Sequence, residues 1–355
     1  MRKYRRQVVA GLVFIALALI GVVVITGADQ LVETLKTFPA WLFLPVLLLK
    51  FLNWTLRYFE WRYYLGVIGV QTKRGPVESS PENPVVRERD SAVLWLAGMS
   101  LSISPGKVAE VLKPVVLKNM TGVEIARTLP VILMERLVDG MAVILLAAGG
   151  MFCAADSLKT GDLSAGQVRT VLAITTAAML LLILIVQYRP LSLWLLEQSK
   201  GWPLIRRLYA PLHKLYDSTY ELLKLRNLIV PLLLGGGAYF LDSIGFYILL
   251  RGLGAAGSWT LLAQTTFILG FSVIIAALSA MPGGAGGREL TIGALLSGVA
   301  GLSKADEGTA TFLITLFQLW VGVLVGLTMI AIFRRILFPP SLEAEIAALE
   351  QQPQT

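Results

Sequence analysis

Residues 279–289 read Ser-Ala-Met-Pro-Gly-Gly-Ala-Gly-Gly-Arg-Glu, between an apolar run that starts at Trp259 and a short apolar arm over 290–302. Pro282 and the glycines break the helix that precedes them, because proline lacks a backbone donor and glycine gains little from a helical conformation. At 1.5 Å of rise per residue the arm that follows is too short to cross a hydrocarbon core alone. The segment predicts either an external hairpin or a full crossing followed by a half-return. A second break stands at residues 102–110, Ser-Ile-Ser-Pro-Gly-Lys-Val-Ala-Glu, between apolar arms over 92–104 and 108–120. Neither of those arms spans a bilayer, so they predict a re-entrant hairpin that enters and leaves from the cytoplasm.

The rest of the chain explains why the breaks lie in lipid. Hydrophobic residues make up 55% and charged residues 15% of the sequence, with a mean hydropathy of +0.71. Soluble domains carry roughly a quarter charged residues. Stretches over 8–26, 41–59, 138–153 with an N-terminal extension, 168–186, 228–250, 261–280 and 310–333 each approach or exceed the length of apolar helix a bilayer needs. Unpaired backbone groups are not tolerated in lipid, so these stretches are helices. The expectation is an all-α integral membrane protein, one membrane domain over 1–355, with about seven spanning helices and two re-entrant hairpins. The first stretch is too long for a signal-peptide core and reads as a retained helix. Cys153 is the one cysteine and His213 the one histidine, which excludes an intramolecular disulfide and offers no metal-ligand spacing. No cofactor is expected.

A formal charge of +8 raises nucleic acid as a partner, but the charges are distributed otherwise. With the N-terminus in the cytoplasm and each stretch crossing in turn, 22 Lys and Arg fall on the cytoplasmic side and five outside. That asymmetry follows the positive-inside rule and suits anionic lipid, not nucleic acid. It places both termini in the cytoplasm and the protein in the cell inner membrane.

The element order repeats. Span, span, cytoplasmic hairpin and span describe residues 7–153; the same order with opposite orientation describes residues 168–335. Each break sets Pro-Gly ahead of a Glu, at Pro105-Gly106 with Glu110 and at Pro282-Gly283 with Glu289. Such order predicts two inverted-topology repeats whose broken helices meet near the midplane. Residues 71–90 read as a flexible cytoplasmic loop, 189–227 as an interfacial amphipathic segment and 339–355 as a polar tail.

Ionisable residues inside the membrane are costly and mark pairs or function. Glu135, Arg136 and Asp139 share the third span, with Arg136 and Asp139 at pairing distance along a helix. They serve packing or a polar headgroup. Lys50, Asn53, Arg57 and Glu60 fall on one stripe of the second span. The cations there either meet a lipid phosphate or snorkel to the interface. Asp242, deep in the fifth span, requires a partner from another element. The run Gly283–Gly287 lacks a following Lys-Ser/Thr and a preceding strand, so it is no nucleotide loop. Its amides, Gly286 among them, and the helix start behind it would attract an anion.

Three stretches in order, Ser102–Glu110, Glu135–Asp139 and Pro282–Glu289, resemble the lysylphosphatidylglycerol synthase transmembrane (flippase-like) family. The resemblance implies a fold that moves an anionic, aminoacylated or glycosylated lipid between leaflets. Ala109 stands where the family often has Gly. The chain runs only about 20 residues beyond its last helix, so the synthase branch's soluble transferase domain is not expected here. On this reading Lys107, Arg136 and Arg288 contact phosphate, Glu110, Asp139 and Glu289 orient them or meet a cationic headgroup, and Ser104, Pro105, Gly106, Pro282 and Gly283 shape the tips. Lys50, Arg57, Glu135 and Asp242 complete the expected substrate-binding set, with no catalytic residue and no metal. The alternatives are a membrane-embedded lipid-headgroup transferase and a non-transporting partner of an envelope glycosyltransferase or synthase.

The charge count generates a topology test. In a Cys153→Ala background, single cysteines at positions 80 and 210 should resist an impermeant external thiol reagent and label only after the membrane is opened. Strong external labelling at either position would overturn the cytoplasmic assignment.

Overall fold

The computed structural model describes residues 28–103, 110, 112–154, 222–279, 281, 284, 286–297 and 302–338, with isolated positions before 28 and between 170 and 220. The expected spans over 8–26 and 168–186, the tip residues Ser104–Lys107, most of the 189–227 segment and the 339–355 tail lie outside the described residues.

Among the described residues the protein is helical, with one two-stranded ribbon. Helix α1 covers Ala28–Thr37, and α2 covers Phe43–Val67 after a short 3-10 turn. Strands β1 (Gln71–Lys73) and β2 (Val85–Arg87) precede two short helices, α3 (Glu88–Met99) and α4 (Leu112–Thr121). Helix α5 runs over Ile125–Ala154, α6 over Leu225–Gly252 and α7 over Trp259–Ser279. A ten-residue helix, α8 (Gly287–Leu296), follows, and then α9 (Lys304–Thr315), a π turn (Leu316–Trp320), α10 (Val321–Ile332) and α11 (Arg334–Leu337). Among the described residues five stretches are long and apolar enough to cross a membrane: Ala40–Val67, Ile125–Ala154, Leu225–Gly252, Trp259–Ser279 and Lys304–Ile332. The chain is thus a multi-pass, all-α membrane protein. At 12 and 10 residues, α3 and α4 are too short to span, as the break between them predicts.

Lipid supplies no hydrophobic drive between apolar helices, so close packing at small residues holds them together. Helices α5 and α7 meet at such residues. A Cβ on Gly150 would lie 2.7 Å from the Ala263 carbonyl oxygen and 2.7 Å from the Phe267 nitrogen. Across the same seam a Cβ on Gly270 would sit 3.0 Å from the Ala147 side chain. Gly326 of α10 leaves a Cβ only 2.6 Å from the Ser100 nitrogen and so lets the end of α3 lie against α10.

The buried apolar side chains form two separate cores. One gathers Val46, Met151, Phe246, Phe267, Ile292 and Ile314. The other gathers Trp61, Leu117, Val131, Met134, Leu228 and Leu337. Helices α2, α5 and α6 run through both. Their ionisable residues, Lys50 to Glu60, Glu135 to Asp139 and Asp242, fall along the stretches that join the two cores.

Residues 71–90 are not the flexible loop that their prolines and charges suggest. Strands β1 and β2 pair in parallel, with Gln71 opposite Val85. The Ser79 hydroxyl donates to the Thr121 carbonyl at 2.9 Å and accepts from the Val85 N–H at 2.9 Å, which ties the loop to the end of α4. Glu88 accepts from Arg74 Nε at 2.9 Å and from Arg62 Nη1 at 2.8 Å. The bond from Arg74 holds the Glu88 carboxyl below its usual range. Composition alone misreads this loop because its order comes from partners outside it, on α2 and α4.

The α5–α7 seam sets a paired stability test. Gly150→Ala forces backbone apart and should lower the thermal unfolding midpoint in detergent, with a loss of about 1–3 kcal/mol typical of overpacking. Gly149→Ala, where a Cβ meets nothing within 4 Å, should leave the midpoint unchanged. Equal behaviour of the two variants would rule out the close crossing.

Candidate functional site

The joining layer encloses a cavity of about 550 Å³ lined by side chains of α2, α3, α4, α5, α6, α7, α8 and the π turn. The α2 stripe forms one wall, and its residues find their partners across the gap. Lys50 Nζ lies 3.1 Å from Asp242 Oδ1 and 3.2 Å from Oδ2, so the deep charge of α6 is met by α2. One turn on, Asn53 Nδ2 donates to the Ala238 carbonyl at 2.6 Å. Arg57 Nη1 donates to Asp139 Oδ1 at 2.7 Å, and its guanidinium carbon stands 4.5 Å over the Tyr239 ring. Snorkelling therefore does not describe Arg57. Its positive charge turns inward, where a carboxylate and an aromatic face replace water.

Helix α5 presents the opposite wall. Arg136 Nη1 lies 3.0 Å from Asp139 Oδ2, the one-turn pairing that the spacing predicts. Arg136 Nε also stands 3.6 Å from Glu110 Oε2, from the segment just beyond the first break. Lys113 Nζ is 3.5 Å from Glu135 Oε2 and 5.5 Å from the centre of the Trp61 ring. The charge count above sets Lys113 among cytoplasmic cations, but it is only 5% exposed. Neighbouring α3 makes room for it: a Cβ on Gly98 would fall 2.4 Å from the Lys113 side chain.

The second break reaches the same cavity through Met281, Gly284 and Arg288. Gly284 has φ +72, and a Cβ there would lie 2.4 Å from the Ala276 Cβ, so only glycine lets the chain turn back so close to α7. Arg288 donates through Nη2 to Gln318 Oε1 in the π turn. Its Nε is buried without a hydrogen-bond partner among the described residues. Glu289 points elsewhere. It accepts from the Gly286 N–H at 2.6 Å, closing the first turn of α8, and from the Thr315 hydroxyl at 3.2 Å. Gly286, at φ +84, heads that helix and does not line the cavity.

Of the expected binding set, Lys50, Arg57, Glu110, Glu135, Arg136, Asp139, Asp242 and Arg288 converge on the cavity, while Gly286 and Glu289 stand behind it. Ser104, Pro105, Gly106, Lys107, Pro282 and Gly283 lie outside the described residues. Cavity residues outside the sequence-derived set include Asn53, Glu60, Lys113, Tyr239 and Gln318. Glu60 lies on the α2 stripe, and its place there is the signal that could have added it. Tyr239 and Gln318 carry no sequence signal, since an ordinary tyrosine in a span and a glutamine at a π turn look like packing residues. π turns do recur at functional sites.

A family profile described as the lysylphosphatidylglycerol synthase TM region matches residues 8–326, most of the chain. No curated protein matches the chain.

The Lys50–Asp242 pair allows a coupling test. Leaving one member of a buried pair charged and alone typically costs about 3–5 kcal/mol. Asp242→Leu should therefore lower the unfolding midpoint more than the double change Lys50→Met with Asp242→Leu. Losses that simply add across the two sites would exclude a direct pair.

Proposed function

The chain belongs to the lysylphosphatidylglycerol synthase TM region family, and from that premise we propose that it translocates a lipid with a phosphate-bearing headgroup between bilayer leaflets. Family membership supports lipid handling; the movement between leaflets is our reading of the cavity. The observation that carries it is Arg288, a buried guanidinium that lines the charged cavity with Nε unpartnered among the described residues. An arginine with an open N–H beside a space of about 550 Å³ suits a phosphate oxygen. The headgroup occupies the cavity while its acyl chains stay in lipid.

In this proposal the two breaks are gates. The segment around Glu110 and Lys113 and the segment around Gly284 and Arg288 form re-entrant hairpins of two inverted repeats, entering from opposite faces. Both contribute to one cavity, which supports a shared site over two independent ones. Glu110 and Lys113 are bound to α5 residues, so opening on that side would break the Arg136–Glu110 and Lys113–Glu135 contacts. Glu289 serves by fixing the start of α8 and hence the place of Arg288. Transport is favoured over headgroup transfer because Glu110, Glu135, Asp139 and Asp242 are each engaged by a cation of the cavity lining. The protein sits in the inner membrane with its termini in the cytoplasm, where an envelope glycosyltransferase or synthase would supply the cargo.

The test is reconstitution of the full chain into vesicles that carry fluorescent phosphatidylglycerol, with reagent quenching of the outer leaflet. The wild type should exchange the probe between leaflets, and Arg288→Gln should slow exchange about tenfold or more, the loss expected for a hydrogen bond to a charged group. Arg288→Gln should keep the wild-type yield. Exchange no faster than in protein-free vesicles would overturn the proposal.

A further inference from the structure

The charges of the cavity balance in a way that singles out Glu60. Four cations and four carboxylates in its lining neutralise one another: Lys50 with Asp242, Arg57 and Arg136 with Asp139 and Glu110, and Lys113 with Glu135. Among the described lining residues this leaves Arg288 and Glu60. Glu60 is 2% exposed, yet its Oε1 has no hydrogen-bond partner among the described residues. The groups that face it are Arg57 and Tyr64 from its own helix and Glu135, Arg136 and Asp139 from α5. Both arginines already hold Asp139, and Lys113 is held by Glu135. On the α6 side it meets Gly235, where a Cβ would stand 3.7 Å from Glu60 Oε2.

We infer that Glu60 is a proton-binding site that fills when the phosphate of a lipid headgroup enters and empties when it leaves, so that lipid and proton cross together. The inference rests on the phosphate reading of Arg288. With Glu60 ionised, the charges of the described lining residues balance. A phosphodiester brings one negative charge, satisfies Arg288 and leaves the cavity with one uncompensated charge in a medium of low dielectric. One proton removes that excess, and Glu60 is the lining carboxyl that no cation holds among the described residues. The carboxylate takes the proton from bulk hydronium, relayed by water that reaches the cavity with the headgroup, so that an O–H bond forms on Glu60 and neutral water is left. It returns the proton to water on the side where the headgroup departs. The anionic lipid and its proton then cross with no net charge, and a proton gradient can drive the lipid.

Binding of dihexanoylphosphatidylglycerol to the purified full chain, in lightly buffered detergent with a pH indicator, tests this. The wild type should take up about one proton per lipid bound, and its affinity should rise about tenfold for each unit fall in pH where Glu60 is otherwise ionised. Glu60→Gln should bind the probe with no proton uptake and no pH dependence, and Glu60→Asp should restore both. Equal uptake in wild type and Glu60→Gln, or uptake of sodium in place of protons, overturns the inference alone. If Glu60→Gln does not accumulate, the wild type still decides: well under half a proton per lipid overturns the inference. Failure of the wild type to bind the probe overturns the phosphate reading together with this inference.

Discussion

A charged side chain inside a membrane has no water to lean on, and on α2 four polar groups follow one another down a single stripe. Each of Lys50, Asn53 and Arg57 takes its partner from another helix, Asp242 and the Ala238 carbonyl on α6 and Asp139 on α5. The Arg57–Asp139 bond matters most, because Asp139 also holds Arg136, and Arg136 reaches Glu110 beyond the first break. One line of alternating charge thus joins α2, α5 and the first break. Removing Asp139 would strip Arg57 and Arg136 of the carboxylate they share, which is why the arrangement acts as a unit.

The apolar cores on either side give that line its position. They need no charge to form, only close contact, and glycines at the α5–α7 seam and at the α3–α10 contact bring backbones within van der Waals range. Between the cores the side chains are long and polar, so the helices cannot close over them and a cavity remains. The ribbon over residues 71–87 adds a second constraint on the first break, since Ser79 ties it to Thr121 at the end of α4. Movement of α4 would therefore be felt at β1 and β2.

The division of labour between the breaks follows from chemistry, not from symmetry. The first contributes groups that are already paired with α5, Glu110 and Lys113. The second contributes Arg288, held by Gln318, with its Nε–H unpartnered among the described residues. Glu110 and Glu289 look equivalent in the sequence, each behind a Pro-Gly, yet one meets an arginine in the cavity and the other caps a helix. The lipid reading uses this asymmetry: a site that must both hold and release an anion benefits from an open donor beside pairs already made.

The sequence by itself determined the solvent, the helical class and the positions of the breaks, because hydrocarbon thickness, backbone satisfaction and proline chemistry act locally. It also determined the Arg136–Asp139 pair, one turn apart on one helix, and the family, through three short stretches in order. Tertiary structure decided everything that depends on which helix lies opposite which. Asp242 required a partner, but only packing of α6 on α2 could choose Lys50. Residues 71–90 look mobile until Thr121 and Arg62 stand beside them. Lys113 looks cytoplasmic until Glu135 and Trp61 are seen to receive it, and Glu60 becomes distinctive only after every neighbouring cation is found engaged elsewhere. Lengths and breaks are properties of a segment, whereas the balance of charge in a cavity is a sum over helices far apart in the chain.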